Sequence, residues 1–275
     1  MIEHPPRVTL SEAEYTALVK AKKVLENPSF AIKASNYIGK PVEFAIEKID
    51  SKMLNEATSK ALRKSLDIAV STIDTQTETT ASSNLLHKTL VAGSGAVGGF
   101  FGLAALALEL PVSTTIMLRS IADIAQSQEH DLSNMAIRLS CLEVFALGSN
   151  KSDSDNAAES AYYSTRATLA IEMKAALKAV EKMSTQAIQD ALKRGQMPLL
   201  IKFIGTIASR FGMTVSEKLV AQAIPVVGAA GGAAINLMFI QHFQDMAEGH
   251  FTVKRLENKY GEASIEKIYN KIVIN

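Results

Sequence analysis

Tryptophan is absent from the 275 residues, cysteine occurs once, and aromatic side chains make up only 6 %. The lone thiol, Cys141, excludes an internal disulfide, so the chain requires no oxidising compartment. Scarce aromatics leave little material for stacking platforms or strands. A surplus of charge is missing too: 29 Lys and Arg stand against 28 Asp and Glu. With no basic excess there is no net pull toward a phosphate backbone, and no nucleic-acid partner is expected. The opening MIEHPPRVTLSEAEY lacks the apolar stretch of a secretory signal. The expectation is a cytoplasmic chain, able to sit peripherally at the inner face of a membrane.

Ala, Leu, Ile and Met are plentiful instead, and they recur at helical spacing. The predicted fold is all-α: a single-domain multi-helix bundle with two glycine-rich hydrophobic helices at its centre. Ser11 and Glu14 form a capping box ahead of Tyr15, Leu18, Ala21 and Leu25, and NPS ends that helix. Pro41 opens a second, with Val42, Ala45, Ile49 and Met53 on one face, and Leu62, Leu66, Ala69 and Ile73 mark a third. The polar stretch Asp74–Asn84 separates these N-terminal amphipathic helices, residues 1–80, from a helical part spanning 85–275, the two expected to form one folding unit. A glycine-rich helix from Leu85 to Leu108 then meets Pro111, which breaks or kinks it, and a further helix covers Val112–Gln128. Ser133 caps the next helix, closed at Gly148 by a left-handed turn. A long helix covers Ala157–Arg194 and ends at Gly195. Others begin at Pro198, in the second glycine-rich stretch, and after Ser264.

VAGSGAVGGFFGLAALALELP, Val91 to Pro111, admits three readings. Gly93, Gly95 and Gly98 match a dinucleotide-binding fingerprint, but no strand precedes them and no acidic residue follows at the end of a second strand. Thr89 to Leu108 is 20 residues without formal charge, the length of a membrane span, yet its Gly, Ser and Ala contribute little lipophilicity and neighbouring helices carry Arg119, Asp123 and Glu143. Close helix packing suits the pattern best: Gly95 with Gly99, Gly98 with Gly102, and Gly228 with Gly232 are each four apart, the spacing that lets helix backbones approach.

Along LALELPVSTTIMLRSIADIAQSQ, then CLEVFALG, then IPVVGAAGGAAINLMFIQHFQDMAEGHFTVKRLENKYG, the chain resembles the EcsC protein family, from about Leu85 to Gly261. The resemblance implies a helical, membrane-associated protein. The family is named for a bacterial protein encoded beside the components of an ABC transporter, and it supplies no assigned activity and no catalytic residues to carry over. A transporter subunit or membrane lipid is the partner it implies.

Candidate chemistry is sparse. Glu109, Arg119, Asp123 and Glu143 lie on otherwise apolar helices. Arg119 and Asp123, four apart, can pair and fix helix register, or all four could form a pocket for acid–base chemistry. Tyr162 and Arg166 share a helix face and could hold an anion or a lipid headgroup, or simply pack. His4, His87, His130, His242 and His250 are dispersed, and His242 with Asp245 is only half a metal site, so neither a metal nor a cofactor is expected. The leading functional expectation is a non-enzymatic helical protein that binds lipid or protein in support of transport or envelope processes. A hydrolase using the cluster around Glu109 and a membrane-inserting or pore-forming protein are the alternatives.

Overall fold

Ser11 begins the first helix as its hydroxyl and backbone predict. The Ser11 side chain accepts from the Glu14 amide at 3.2 Å, and the Glu14 carboxylate accepts from the Ser11 amide at 2.9 Å. The computed structural model describes residues 8–26, 30–39, 51–71, 102–148, 160–223 and 228–274. Among the described residues it contains helices and no strand: α1 (Glu12–Leu25), α2 (Phe30–Ile38), α3 (Ser51–Val70), α4 (Gly102–Ser127), α5 (Met135–Leu147), α6 (Ala161–Val180), α7 (Thr185–Lys193), α8 (Pro198–Ala223), α9 (Gly228–Tyr260) and α10 (Glu262–Lys271). The fold is an all-α, multi-helix bundle, as expected.

One hydrophobic cluster draws on every helix, from Leu18 of α1 and Phe30 of α2 to Ile188 of α7 and Tyr269 of α10. At its middle the rings of Phe145, Phe211, Phe239 and Phe243 meet edge to face or tilted, with Phe145 and Phe211 5.0 Å and Phe239 and Phe243 5.2 Å apart. The long α9 packs against α1, α2, α4, α5, α8 and α10, and α5 is sheathed by α3, α4, α6, α8 and α9. Every residue of α5 from Leu139 to Leu147 is buried. A helix enclosed on all sides needs no amphipathic stripe, and any polar group it carries must find its partner inside.

Pro111 does not end its helix: α4 runs through it. One missing amide costs about 3 kcal/mol, whereas burial of Leu110, Met117, Leu118, Ile121 and Ala122 against α3, α5 and α9 returns more. Downstream hydroxyls bond back into the same turn, Thr114 to the Leu110 carbonyl at 2.6 Å and Thr115 to that of Pro111 at 2.8 Å. The helix predicted over Ala157–Arg194 is interrupted. Ser184 leaves helical geometry and caps α7 by accepting from the Ala187 amide, a local hydrogen bond that competes with helix continuation. The expected stop at Gly195 is present, with φ of +69°.

Four smaller expectations shift. The α5 cap is Asn134, while Ser133 bonds Asp131. Gly148 is right-handed, and what it needs is room: a Cβ there would lie 2.8 Å from His242 Nε2 and 2.9 Å from Phe243. Tyr15 and Met53 point outward rather than into the core. The helix α2, unforeseen after NPS, buries Phe30, Ala31 and Ala34.

Of the glycines expected to pack, Gly95, Gly98 and Gly99 lie outside the described residues, as does the polar stretch 74–84. Gly102 and Gly228 begin α4 and α9, and Gly232 is buried. The two helices that follow the glycine-rich stretches do pack together, with Gln244 of α9 donating to Ser120 of α4 at 2.7 Å.

Candidate functional site

Where α1, α5, α6, α9 and α10 come together, a set of polar side chains is enclosed that local sequence only half reveals. Ser160 starts the construction. As N-cap of α6 its hydroxyl accepts from the Tyr163 amide at 3.3 Å and donates to the Glu26 carboxylate at the end of α1. A carboxylate at a helix N-terminus is electrostatically favoured. Tyr269 of α10 donates to the same Glu26 oxygen at 3.2 Å, and Lys22 donates to the Tyr269 and Ile272 carbonyls at 2.8 and 2.9 Å, placing a cation at the α10 C-terminus.

The cap sets the phase of α6, so Tyr162, Tyr163 and Arg166 all turn inward. Arg166 grips Glu257 of α9 with both ends of its guanidinium, at 2.7 and 2.9 Å. Tyr163 donates to Glu257 at 2.9 Å. Arg166 also donates to the Tyr162 oxygen at 3.3 Å, which leaves the Tyr162 proton for His250 Nδ1, 3.0 Å away. His250 then carries its own proton on Nε2, which faces the Glu143 carboxylate of α5 at 3.7 Å, too long for a hydrogen bond, and Nε2 has no other partner among the described residues. Tyr269 covers the assembly, its ring 5.7 Å from that of Tyr162 and 5.1 Å from that of Tyr163.

Burial governs the protonation states. It raises the Tyr162, Tyr163 and Tyr269 phenols, keeping all three as donors, with the Glu257 carboxylate adding to the rise at Tyr163 and that of Glu26 to the rise at Tyr269. It pushes Glu143 upward against the pull of Lys254 and Arg166, and it holds His250 well below the usual imidazole range, helped by the cations Lys254 and Arg166. The set is built around one firm ion pair, Arg166–Glu257, and burial disfavours the charged forms of the phenols, Glu143 and His250 beside it. Apart from His250 Nε2, its donors and acceptors are directed at each other. That is the chemistry of a clasp between helices, and a buried pair of this kind fixes register at least as much as it adds stability.

The predicted residues divide accordingly. Glu143, Tyr162 and Arg166 meet here. Glu109 is elsewhere, bonded to Lys218 of α8 at 3.0 Å. Asp123 is exposed along α4, its carboxyl raised by partial burial and lowered by Arg119. The four residues Glu109, Arg119, Asp123 and Glu143 thus do not share one pocket of partners. His250 and Glu257 were not foreseen as members. Their separation of seven residues, two turns, puts both on one helix face. Cys141 is fully enclosed and its thiol is pushed up to about 12 by burial. No group of three or more His, Cys, Asp or Glu side chains suited to a metal is present among the described residues.

A comparison with curated proteins and one with solved structures each find no match. The model of the EcsC protein family matches residues 16–256, which brings α1–α3 into the unit that sequence resemblance had begun only near Leu85. With a match across most of its length, this chain belongs to the EcsC protein family.

Proposed function

We propose that this EcsC-family protein is a non-enzymatic helical binding protein, working peripherally at the cytoplasmic face of a membrane in support of transport or envelope processes, with lipid or an ABC transporter subunit as its partner. The observation that carries the reading is the inward-facing clasp. Arg166, Glu257, Tyr162, Tyr163 and His250 are turned toward one another beneath the Tyr269 ring, so the best-developed polar constellation is occupied with helix packing.

Peripheral contact is favoured over insertion by the packing of α8. Pro198–Gln222 is the one helix among the described residues long and apolar enough to cross a bilayer, with a mean hydropathy of 1.2. Its apolar side, including Phe203, Ile207, Phe211 and Val215, is core. Moving it into lipid would expose the ring cluster of Phe145, Phe239 and Phe243 to water.

Membrane fractionation and vesicle flotation of the full chain test the proposal. The expected result is recovery with native membranes or liposomes, or as a complex with a transporter subunit. A protein that stays wholly soluble and monomeric in both settings overturns it.

A further inference from the structure

The second half of α6, the turn after it, α7 and the first turn of α8 form one face that the clasp does not use. Two grooves flank α7. One, about 660 Å³, has Leu177, Met183 and Ile188 in its floor and Arg138, Lys174 and Lys178 around it, with Glu181 its only acid. The other, about 650 Å³, shares Met183 and adds Met197, Leu199 and Arg194, the last accompanied by Asp190.

Lys174 and Lys178, four apart on α6, and Lys182, in the turn that follows Val180, are exposed and of like charge. Like charges at this spacing repel, so the row costs stability in the free protein. None of the three has a carboxylate within ion-pair distance among the described residues, although Lys202 nearby pairs with Glu172 at 3.4 Å. Arg138 is fixed at the groove by the Leu132, Val70 and Ser133 carbonyls. At the two ends of the face, Ile171 is 76 % and Leu199 45 % exposed.

We propose that this face docks on an anionic lipid bilayer. Headgroup phosphates lie along the lysine row and over Arg194, Ile171 and Leu199 pass below the headgroups, and the recessed apolar floors beside α7 accept the upper parts of lipid chains. The charge sign selects an anionic surface. The shape selects lipid over a protein partner, because protruding apolar contact is limited to two separated side chains while the rest of the apolar surface is sunk in grooves. The inference rests on the membrane-face reading above and names the surface and the lipid class for it.

The test is flotation of the full-length protein with vesicles of phosphatidylcholine alone and with about one-third phosphatidylglycerol. Wild type should bind the anionic vesicles and be released by salt. The triple variant Lys174→Gln, Lys178→Gln, Lys182→Gln should partition at least about tenfold less. Ile171→Ser with Leu199→Ser should weaken binding that persists at moderate salt. A control triple, Lys60→Gln, Lys64→Gln, Lys267→Gln, removes equal charge from other exposed positions and should bind as wild type does. Unchanged melting of all variants keeps folding out of the comparison. Equal flotation of the lysine-row variant and wild type, or equal loss in the control, overturns the docking face while the broader reading stands. Recovery with native membranes but not with protein-free vesicles also overturns it, in favour of a protein partner. Failure with both removes the two readings together.

Discussion

Lys218 Nζ lies 3.0 Å from Glu109 Oε1 with only 3 % of the lysine side chain exposed, and the same ammonium sits 5.0 Å from the centre of the Phe239 ring. One cation thereby ties α8 to α4 and α9. Glu109 keeps 18 % of its side chain at the surface, so the pair is closed at the lysine end and partly open at the other.

Removing the lysine should be costly for that reason. Lys218→Ala leaves a carboxylate facing the bundle and deletes the cation over Phe239, and a loss of about 3 kcal/mol is expected. Lys218→Met with Glu109→Gln removes both charges, keeps the volume, and should recover most of the loss. Urea denaturation of Lys218→Met, Glu109→Gln and the pair, read as a double-mutant cycle, gives the coupling. A double variant as unstable as Lys218→Ala would show that the unpaired carboxylate does not set the cost.

Features closed within one helical turn could be read from the sequence, and features closed across the chain could not. The capping box of Ser11 and Glu14 is a local pattern and folds as read. Tyr162 and Arg166, four apart, share a face as spacing requires, yet the carboxylate that Arg166 grips is Glu257, 91 residues away. Pro111 has a strong local preference to end a helix, and tertiary burial of the residues around it overrules that preference. At Gly148 the helix stop was legible, whereas its cause, the rings of His242 and Phe243, belongs to another helix.

Arg166→Lys should fail to substitute. Lysine keeps the charge but cannot contact both Glu257 oxygens and Tyr162 together, and truncating a charge-assisted fork of this kind costs about 2 kcal/mol. The Glu257→Gln variant should lose a similar amount, and the two together should lose less than their sum. Strict additivity in chemical denaturation would mean that the two side chains do not act as one unit.

Acid should weaken the fold through its buried imidazoles. His242 is lowered to about 4 by burial, then by Lys33, while the hydrogen bond to the Gly148 carbonyl pulls the other way. Above the ordinary value of 6.5 both folded and unfolded chains hold this ring neutral and it contributes nothing. Below 6.5 the unfolded chain takes up a proton that the folded chain refuses, so stability falls until pH reaches about 4, by roughly 3 kcal/mol in total. His250 and His130, both lowered by burial, act in the same direction, and Glu143, raised by burial, acts in the opposite one. His242→Gln retains an amide to donate to Gly148 without a titrating group. Measured by denaturation between about pH 7.5 and 4.5, its stability should decline less steeply than that of wild type. Parallel pH profiles would remove His242 from the acid response.

Two glycines on neighbouring helices should respond to alanine with opposite sign. At Gly249 in α9 a Cβ would lie 2.9 Å from Leu25 Cγ and 3.3 Å from the Ala21 carbonyl oxygen. Leu25 is core and Ala21 O is helix backbone, so neither yields without moving α1, whose other attachments to α9 include Lys259 and Tyr260 on Glu14 at 2.7 and 2.9 Å. Gly249→Ala should therefore destabilise by about 1–3 kcal/mol despite the better helix propensity of alanine. Gly205 in α8 is exposed, and nothing among the described residues lies within 4 Å of the position its Cβ would take. Gly205→Ala should stabilise by about 0.5–1 kcal/mol by reducing the freedom of the unfolded chain. Urea midpoints with unchanged m-values measure both. If Gly249→Ala moved the midpoint upward as Gly205→Ala does, α1 would not be seated against α9 at the distance the glycine permits, and the clasp built on Glu26 and Lys22 would lose its anchoring helix.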